Sequence, residues 1–107
     1  MKISKNQAVR EDWDEVKSWN YKLKSLPQKY QSVVYAELKG DHSEVDTYDT
    51  ERIYYIIDGE GEFKINGQTT PVTQGDVITI PPKSKYDYKP KGKKTLKVIV
   101  FMDLWDN

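Results

Sequence analysis

A chain of 107 residues with no cysteine, one histidine, and 17 acidic against 17 basic side chains has the length of one domain with a modest core. Without cysteine there is no disulfide framework, zinc knuckle, iron–sulfur cluster or thiolate nucleophile, and His42 alone cannot make a two- or three-histidine metal site. Zero formal net charge removes the general electrostatic case for nucleic acid or an anionic membrane as partner. No apolar run approaches the roughly 20 residues of a membrane span, and Met1-Lys2-Ile3-Ser4-Lys5 lacks the apolar core of a signal peptide. The expectation is a soluble, cytoplasmic protein.

Thirteen aromatic residues (three Trp, eight Tyr, two Phe) argue against disorder despite the high polarity. Residues 1–31 are mostly polar and read as an N-terminal arm wrapping the domain. One helical turn is expected around Arg10 to Val16, followed by an aromatic pair, Trp19 and Tyr21. From Ser32 onward short β-rich runs alternate with turn chemistry: Val33 to Leu38, Arg52 to Ile57, Gly61 to Ile65, Asp76 to Ile80 and Leu96 to Met102. Between them stand Asp58-Gly59, Asn66-Gly67, Gly75-Asp76 and Pro81-Pro82. Asn66-Gly67 is the strongest hairpin signal, because both residues tolerate the positive φ of a type I′ turn. No crossover helix separates the runs, so residues 32–107 are expected to form an all-β sandwich or barrel of antiparallel strands.

Charge is segregated although it cancels in sum. From Glu37 to Glu62 there are nine carboxylates against Lys39 and Arg52, while Lys83 to Lys97 carries seven lysines against Asp87. Either the two stretches are solvated edges that attract each other, or the lysines form a mouth that draws in an anion.

Glycine placement resembles the cupin superfamily, whose small members are jelly-roll β-barrels built on two motifs. The first runs glycine, five residues, His-x-His, three or four residues, glutamate, six residues, glycine. Here Gly40 is followed by Asp46-Thr47-Tyr48, Arg52 and Gly59 at those places. The second runs glycine, five residues, Pro-x-Gly, two residues, histidine, three residues, asparagine. Gly75, Pro81-Pro82-Lys83, Tyr86 and Pro90 stand there. The match covers residues 33–102 and implies a single-domain cupin jelly-roll.

The framework fits but the chemistry does not. The four metal positions of the family carry Asp46, Tyr48, Arg52 and Tyr86. A guanidinium would repel a divalent ion held by the others, and a phenol with a pKa near 10 is a poor ligand at neutral pH. The expectation is a cupin with no metal and no cofactor. The carboxylates from Asp41 to Glu51 read as solvated loop charges, and the family pattern gives His42 no role.

With the family's inward ligand positions as phase marker, strand alternation sends Asp46, Tyr48, Arg52, Tyr54, Tyr86 and Tyr88 to the lumen. The opposite face then receives Ile53, Tyr55 and Ile57. Arg52 either pairs with Asp46 or is left for a ligand; the tyrosines either fill the barrel or supply chemistry. For Tyr48 and Tyr86, a nearby guanidinium would lower the phenol pKa.

Three functions remain open. The first is a binding module for a small polar or anionic molecule, sugar-like or bearing a carboxylate or phosphate. The second is a metal-independent sugar isomerase or epimerase with Tyr48 or Tyr86 moving the proton. The third is a structural or regulatory dimer with a packed lumen. The Ile53, Tyr55 and Ile57 face is too apolar to be left in water and needs a second sheet, the N-terminal arm or a second subunit to cover it. The resemblance to cupins implies a homodimer, and Phe101 to Trp105 is a second candidate for an interface or for closing the barrel.

Overall fold

The computed structural model describes residues 4–22 and 32–102. Its ten strands are β1 (Val9–Trp13), β2 (Val16–Lys22), β3 (Ser32–Leu38), β4 (Val45–Asp46), β5 (Arg52–Asp58), β6 (Glu60–Ile65), β7 (Gln68–Thr73), β8 (Val77–Ile80), β9 (Lys85–Pro90) and β10 (Leu96–Met102). They form two antiparallel sheets, ordered β1-β2-β3-β10-β5-β8 and β4-β9-β6-β7. The sheets make the expected jelly-roll but do not close into a continuous barrel. All five β-rich runs of the sequence are strands.

The N-terminal segment differs from its expected form. Residues 10–13 lie in β1 rather than in a helical turn, and β1 and β2 form a hairpin that extends the larger sheet through β2–β3 pairing. Asp14, at φ 46°, makes the tight reversal, and the Glu15 carbonyl accepts the Lys39 N–H at 2.8 Å. Strand alternation explains the choice. Val16, Ser18 and Asn20 are buried, while Lys17, Trp19 and Tyr21 occupy the other face, a period of two that no helix can satisfy.

The core lies between the sheets. From the larger sheet come Val34, Ala36, Leu38, Tyr54, Ile56, Ile80, Val98 and Val100; Phe63, Val72, Tyr86 and Tyr88 come from the smaller one. Aromatic rings join the layers: Phe63 stacks on Tyr88 with centroids 4.5 Å apart, and Tyr54 meets both edge-on at 5.1 Å.

Turn chemistry fixes the register. Asn66 and Gly67, at φ 49° and 86°, close the β6–β7 hairpin as the sequence predicts. Lys83, at φ 59°, stands where the family places the glycine of Pro-x-Gly, so a lysine holds a left-handed conformation that glycine adopts freely. At Gly59 the constraint is the reverse: φ is +92°, and an added Cβ would sit 2.8 Å from the Thr95 carbonyl oxygen.

The expected charge attraction is present in part. Lys94 pairs with Asp58 at 3.0 Å and Lys89 with Glu62 at 3.5 Å, both exposed enough to contribute little. Substitution at the two turns should act in opposite directions. In urea unfolding, Lys83→Gly is expected to raise the stability by up to about 1 kcal/mol, and Gly59→Ala to lower it by about 1–3 kcal/mol, each read as a shift of the midpoint in the same direction. Equal effects at both positions would contradict this account of the turns.

Candidate functional site

A cavity of about 270 Å³ opens between the sheets, just below the ~300 Å³ at which ligand pockets usually begin. Its floor is the apolar middle of the larger sheet, including Val34, Ala36 and Val100. One flank is polar through Glu11, Ser18 and Asn20 of the N-terminal hairpin, and the other carries Arg52 and Tyr54 of β5. Trp13, His42, Val45 and Tyr88 complete the wall.

Of the six residues that alternation assigned to the lumen, Arg52, Tyr54 and Tyr88 line this cavity, and Tyr86 lies buried behind them. Asp46 and Tyr48 do not line it. Strand β4 is only two residues long and presents Val45 inward, so the phase assumed at Asp46 is displaced by one residue, which exchanges the faces. Thr47 then turns into the structure: its hydroxyl donates to the Pro81 carbonyl at 2.9 Å and accepts the Ser84 N–H at 3.0 Å. Tyr48 follows at φ 54° and is 72% exposed. Asp46 and Tyr48 share a separate open cleft with Glu44, Lys85 and the far side of Arg52.

The expected Arg52–Asp46 ion pair does not form. The Asp46 carboxylate accepts the Tyr48 N–H at 2.7 Å, and Arg52 reaches only the Asp46 backbone carbonyl, at 3.5 Å. The guanidinium donates instead to the Tyr86 hydroxyl at 2.7 Å, which meets the Tyr54 hydroxyl at 2.5 Å. Among the described residues no carboxylate pairs with Arg52. Burial opposes its charge, but the Tyr86 and Tyr54 oxygens more than offset that, and its pKa is raised.

The tyrosines behave contrary to the sequence expectation. Burial pushes the Tyr86 phenol pKa up and outweighs the lowering influence of Arg52. Tyr54 and Tyr88 are raised as well, burial again being the largest cause. All three are therefore neutral hydrogen-bonding groups at physiological pH and cannot act as bases.

His42 is the residue the sequence reading passed over. It is buried in the cavity wall, stacked on Tyr88 at 4.6 Å and met edge-on by Trp13 at 5.3 Å. Its backbone N–H donates to the Tyr88 carbonyl at 2.8 Å, and the Trp13 indole N–H donates to the His42 carbonyl at 3.1 Å. Nδ1 lies 2.9 Å from the Ser43 carbonyl, which can only accept, so Nδ1 carries the proton. Burial lowers the imidazole pKa below 6.5, which leaves the ring neutral and Nε2 a lone-pair acceptor. The period-two pattern of residues 16–22, had it been read as a strand, would have brought Ser18 and Asn20 into the site.

A metal does not fit these residues. At the family's metal positions stand a cation bonded to a phenol, a carboxylate turned to its own loop and an exposed tyrosine, and among the described residues no three His, Cys, Asp or Glu side chains converge. No lysine lines the cavity, so the lysine-rich mouth is not found.

Two facing antiparallel sheets with a part-polar cavity between them define a jelly-roll. The cupin domain family profile matches residues 36–102, and the chain belongs to that family. An uncharacterized protein of Methanocaldococcus jannaschii, MJ1618, is 36% identical over 52 residues, which are 49% of this chain and 42% of the relative. The match thus spans less than half of that relative's length. Among solved structures, a predicted oxalate decarboxylase of Thermotoga maritima has a TM-score of 0.83 at 20% identity, covering 98% of this chain and 100% of that one. The Streptomyces nucleoside dehydratase Pac13 has a TM-score of 0.80 at 20% identity, covering 99% and 84%. It has also been solved with uridine in forms with a histidine replaced by glutamine or a tyrosine by phenylalanine. At these identities the likeness is one of fold.

Because the folded-state pKa of His42 lies below the 6.5 of the unfolded chain, the unfolded chain takes up the proton first as pH falls. The stability that depends on neutral His42 is complete above about pH 6.5 and is lost as pH drops toward the folded-state value. Wild type should therefore lose stability between about pH 7 and pH 5 more steeply than His42→Gln. As the only histidine, His42 gives one imidazole signal in ¹H–¹⁵N NMR. A titration midpoint at or above 6.5, or a protonated Nε2 in the neutral ring, would contradict the assignment.

Proposed function

We propose that this cupin binds a small polar or anionic molecule, sugar-like or bearing a carboxylate or phosphate, in the cavity between its sheets and without a metal ion. The observation that carries the reading is Arg52: a part-buried guanidinium on the cavity wall, steadied by Tyr86, with no carboxylate partner among the described residues. A desolvated cation gains most from an anion or an electron-rich oxygen, and a guanidinium can hold a carboxylate or phosphate through two hydrogen bonds. The flat rings of His42, Tyr88 and Trp13 offer faces for a sugar or heterocycle. A cavity of about 270 Å³ argues against the alternative of a lumen packed shut.

The test is a thermal-shift screen of sugars, sugar phosphates, nucleosides and small organic acids, with and without divalent ions. A ligand present at 100 times its Kd should add about 2.7 kcal/mol of stability. That gain is expected to vanish in Arg52→Met and to be unchanged by chelation. Equal stabilisation of wild type and variant removes the role of the guanidinium, and stabilisation only with a divalent ion removes the metal-free reading.

A second reading is metal-independent proton transfer, an isomerase or epimerase reaction. His42 favours it, replacing Tyr48 and Tyr86 as the base, because its tautomer leaves Nε2 unprotonated in a wall shared with Arg52 and Tyr54. The base would take the proton from the carbon beside a carbonyl, and the enolate oxygen formed would be stabilised by Arg52 or a neutral phenol. A nucleoside dehydratase among the fold neighbours lends this reading support. It predicts solvent deuterium incorporation beside the carbonyl of a bound ligand, reduced at least about 10²-fold in His42→Gln, the lower end of what general base catalysis supplies. Binding without exchange over hours would remove the enzyme reading and leave the binding one.

A further inference from the structure

Among the described residues, the lining of the cavity carries one cation, Arg52, and one carboxylate, Glu11, and no ion pair joins them. Strand β1 aims Glu11 inward. Its cross-strand partner is the buried Ser18, and directly opposed residues of an antiparallel pair share a face. Trp13, opposite the buried Val16, shares that face and the cavity wall. Arg10 and Asp12 take the other face and pair with each other at 2.6 Å, so no described cation neutralises Glu11.

The register places the two charges at opposite corners of the cavity floor. Glu11 stands in one row with Ser18, Ala36, Val98 and Ile56 across five strands, and Arg52 lies four residues from Ile56 along β5. At ~4.8 Å per strand and ~3.3 Å per residue, their backbones are about 19 Å apart across the sheet surface and about 13 Å along it. Even with both long side chains reaching inward, an α-amino acid, whose ammonium and carboxylate share one carbon, cannot meet both.

Charge balance selects among longer ligands. The described lining sums to zero, so a neutral molecule with one charge of each sign leaves neither charge unmatched, whereas a phosphate dianion would face the carboxylate. Of the five N–H groups of the guanidinium, one donates to Tyr86 and one is aimed at the Asp46 carbonyl, so donors remain for a carboxylate. At the other end Glu11 and Trp13 suit an ammonium group, the carboxylate by charge and the indole ring by cation–π attraction. The apolar floor and the stacked rings of His42 and Tyr88 border the uncharged middle.

We infer that the ligand is a zwitterion whose carboxylate and ammonium groups are separated by a ring or by a chain of several carbons. Arg52 holds its carboxylate, and Glu11 with Trp13 holds its ammonium group. This builds on an anion at Arg52, as proposed above, and makes Glu11 the residue that selects the positive end.

Titration calorimetry on the whole chain at low salt tests this with two matched pairs, 4-(aminomethyl)benzoate with benzoate and 6-aminohexanoate with hexanoate. At least one amino acid is expected to bind about tenfold more tightly than its acid, the joint scale of one exposed ion pair and one cation–π contact. Glu11→Gln should bring that ratio to about one. Glu11→Lys should reverse the preference, so that the matching diacid, 4-(carboxymethyl)benzoate or pimelate, binds more tightly than the amino acid. Equal affinity of amino acid and acid in both pairs overturns the inference and leaves the anion site standing. So does a ratio that survives in Glu11→Gln with its far-UV circular dichroism spectrum unchanged. Failure of either amino acid to bind at about 10 mM overturns the inference as well. Binding of an amino acid that Arg52→Met does not weaken instead overturns the reading of Arg52 on which it rests.

Discussion

A guanidinium held between two sheets by phenol oxygens organises the interior of this molecule. Arg52 is half-buried and has no carboxylate partner among the described residues, so its charge is met by hydrogen bonds to Tyr86 and the Asp46 carbonyl. Tyr86 passes the interaction to Tyr54, whose ring packs against Phe63 and Tyr88. The aromatic cluster thereby orients the cation, and the cation gives the buried hydroxyls their partner. Removing either leaves the other unsatisfied in a medium of low polarity, where that costs about 1–3 kcal/mol.

The same cluster decides what the remaining titratable groups can do. Desolvation dominates at Tyr54, Tyr86, Tyr88 and His42: it keeps the phenols protonated and the imidazole neutral. A positive site and a neutral base thus line the same cavity, in which Glu11 of the N-terminal hairpin is the one acidic residue among the described lining. That division of roles is what binding an anion or stabilising an enolate requires, and a divalent metal would find it hostile. The family framework of glycines and turns survives here around chemistry of another kind.

Much of the fold was legible because it rests on local rules. Asn66-Gly67 forms the hairpin its φ preferences demand, and the five apolar runs became strands of the predicted direction. The N-terminal hairpin was not legible as such, because Val16 to Lys22 buries Ser18 and Asn20 and exposes Trp19 and Tyr21 in part, inverting the usual link between polarity and burial. That inversion has a cause on each side: the inward polar groups serve the cavity and the hairpin, while the outward aromatics stand beside Tyr35 and Val33 of β3 on the outer face. At the site, alternation carried correctly along β9 and along β5 from Arg52 to Ile56, ahead of the bulge in its pairing with β10 at Ile57. It failed at β4, where two residues of strand give way to a loop that turns on Thr47. His42 escaped notice for a related reason. Its place in the wall is set by backbone pairing with Tyr88 across the sheet, a contact between residues far apart in sequence.

The most direct measurement is a crystal structure of the protein grown or soaked in sodium bromide, with data collected at the bromine absorption edge. An anion-seeking Arg52 predicts an anomalous peak inside the cavity, within hydrogen-bonding distance of the guanidinium and absent from Arg52→Met crystals. A carboxylate side chain seated on Arg52 in place of bromide, or a divalent ion bound among Tyr86, Arg52 and His42, would contradict the account.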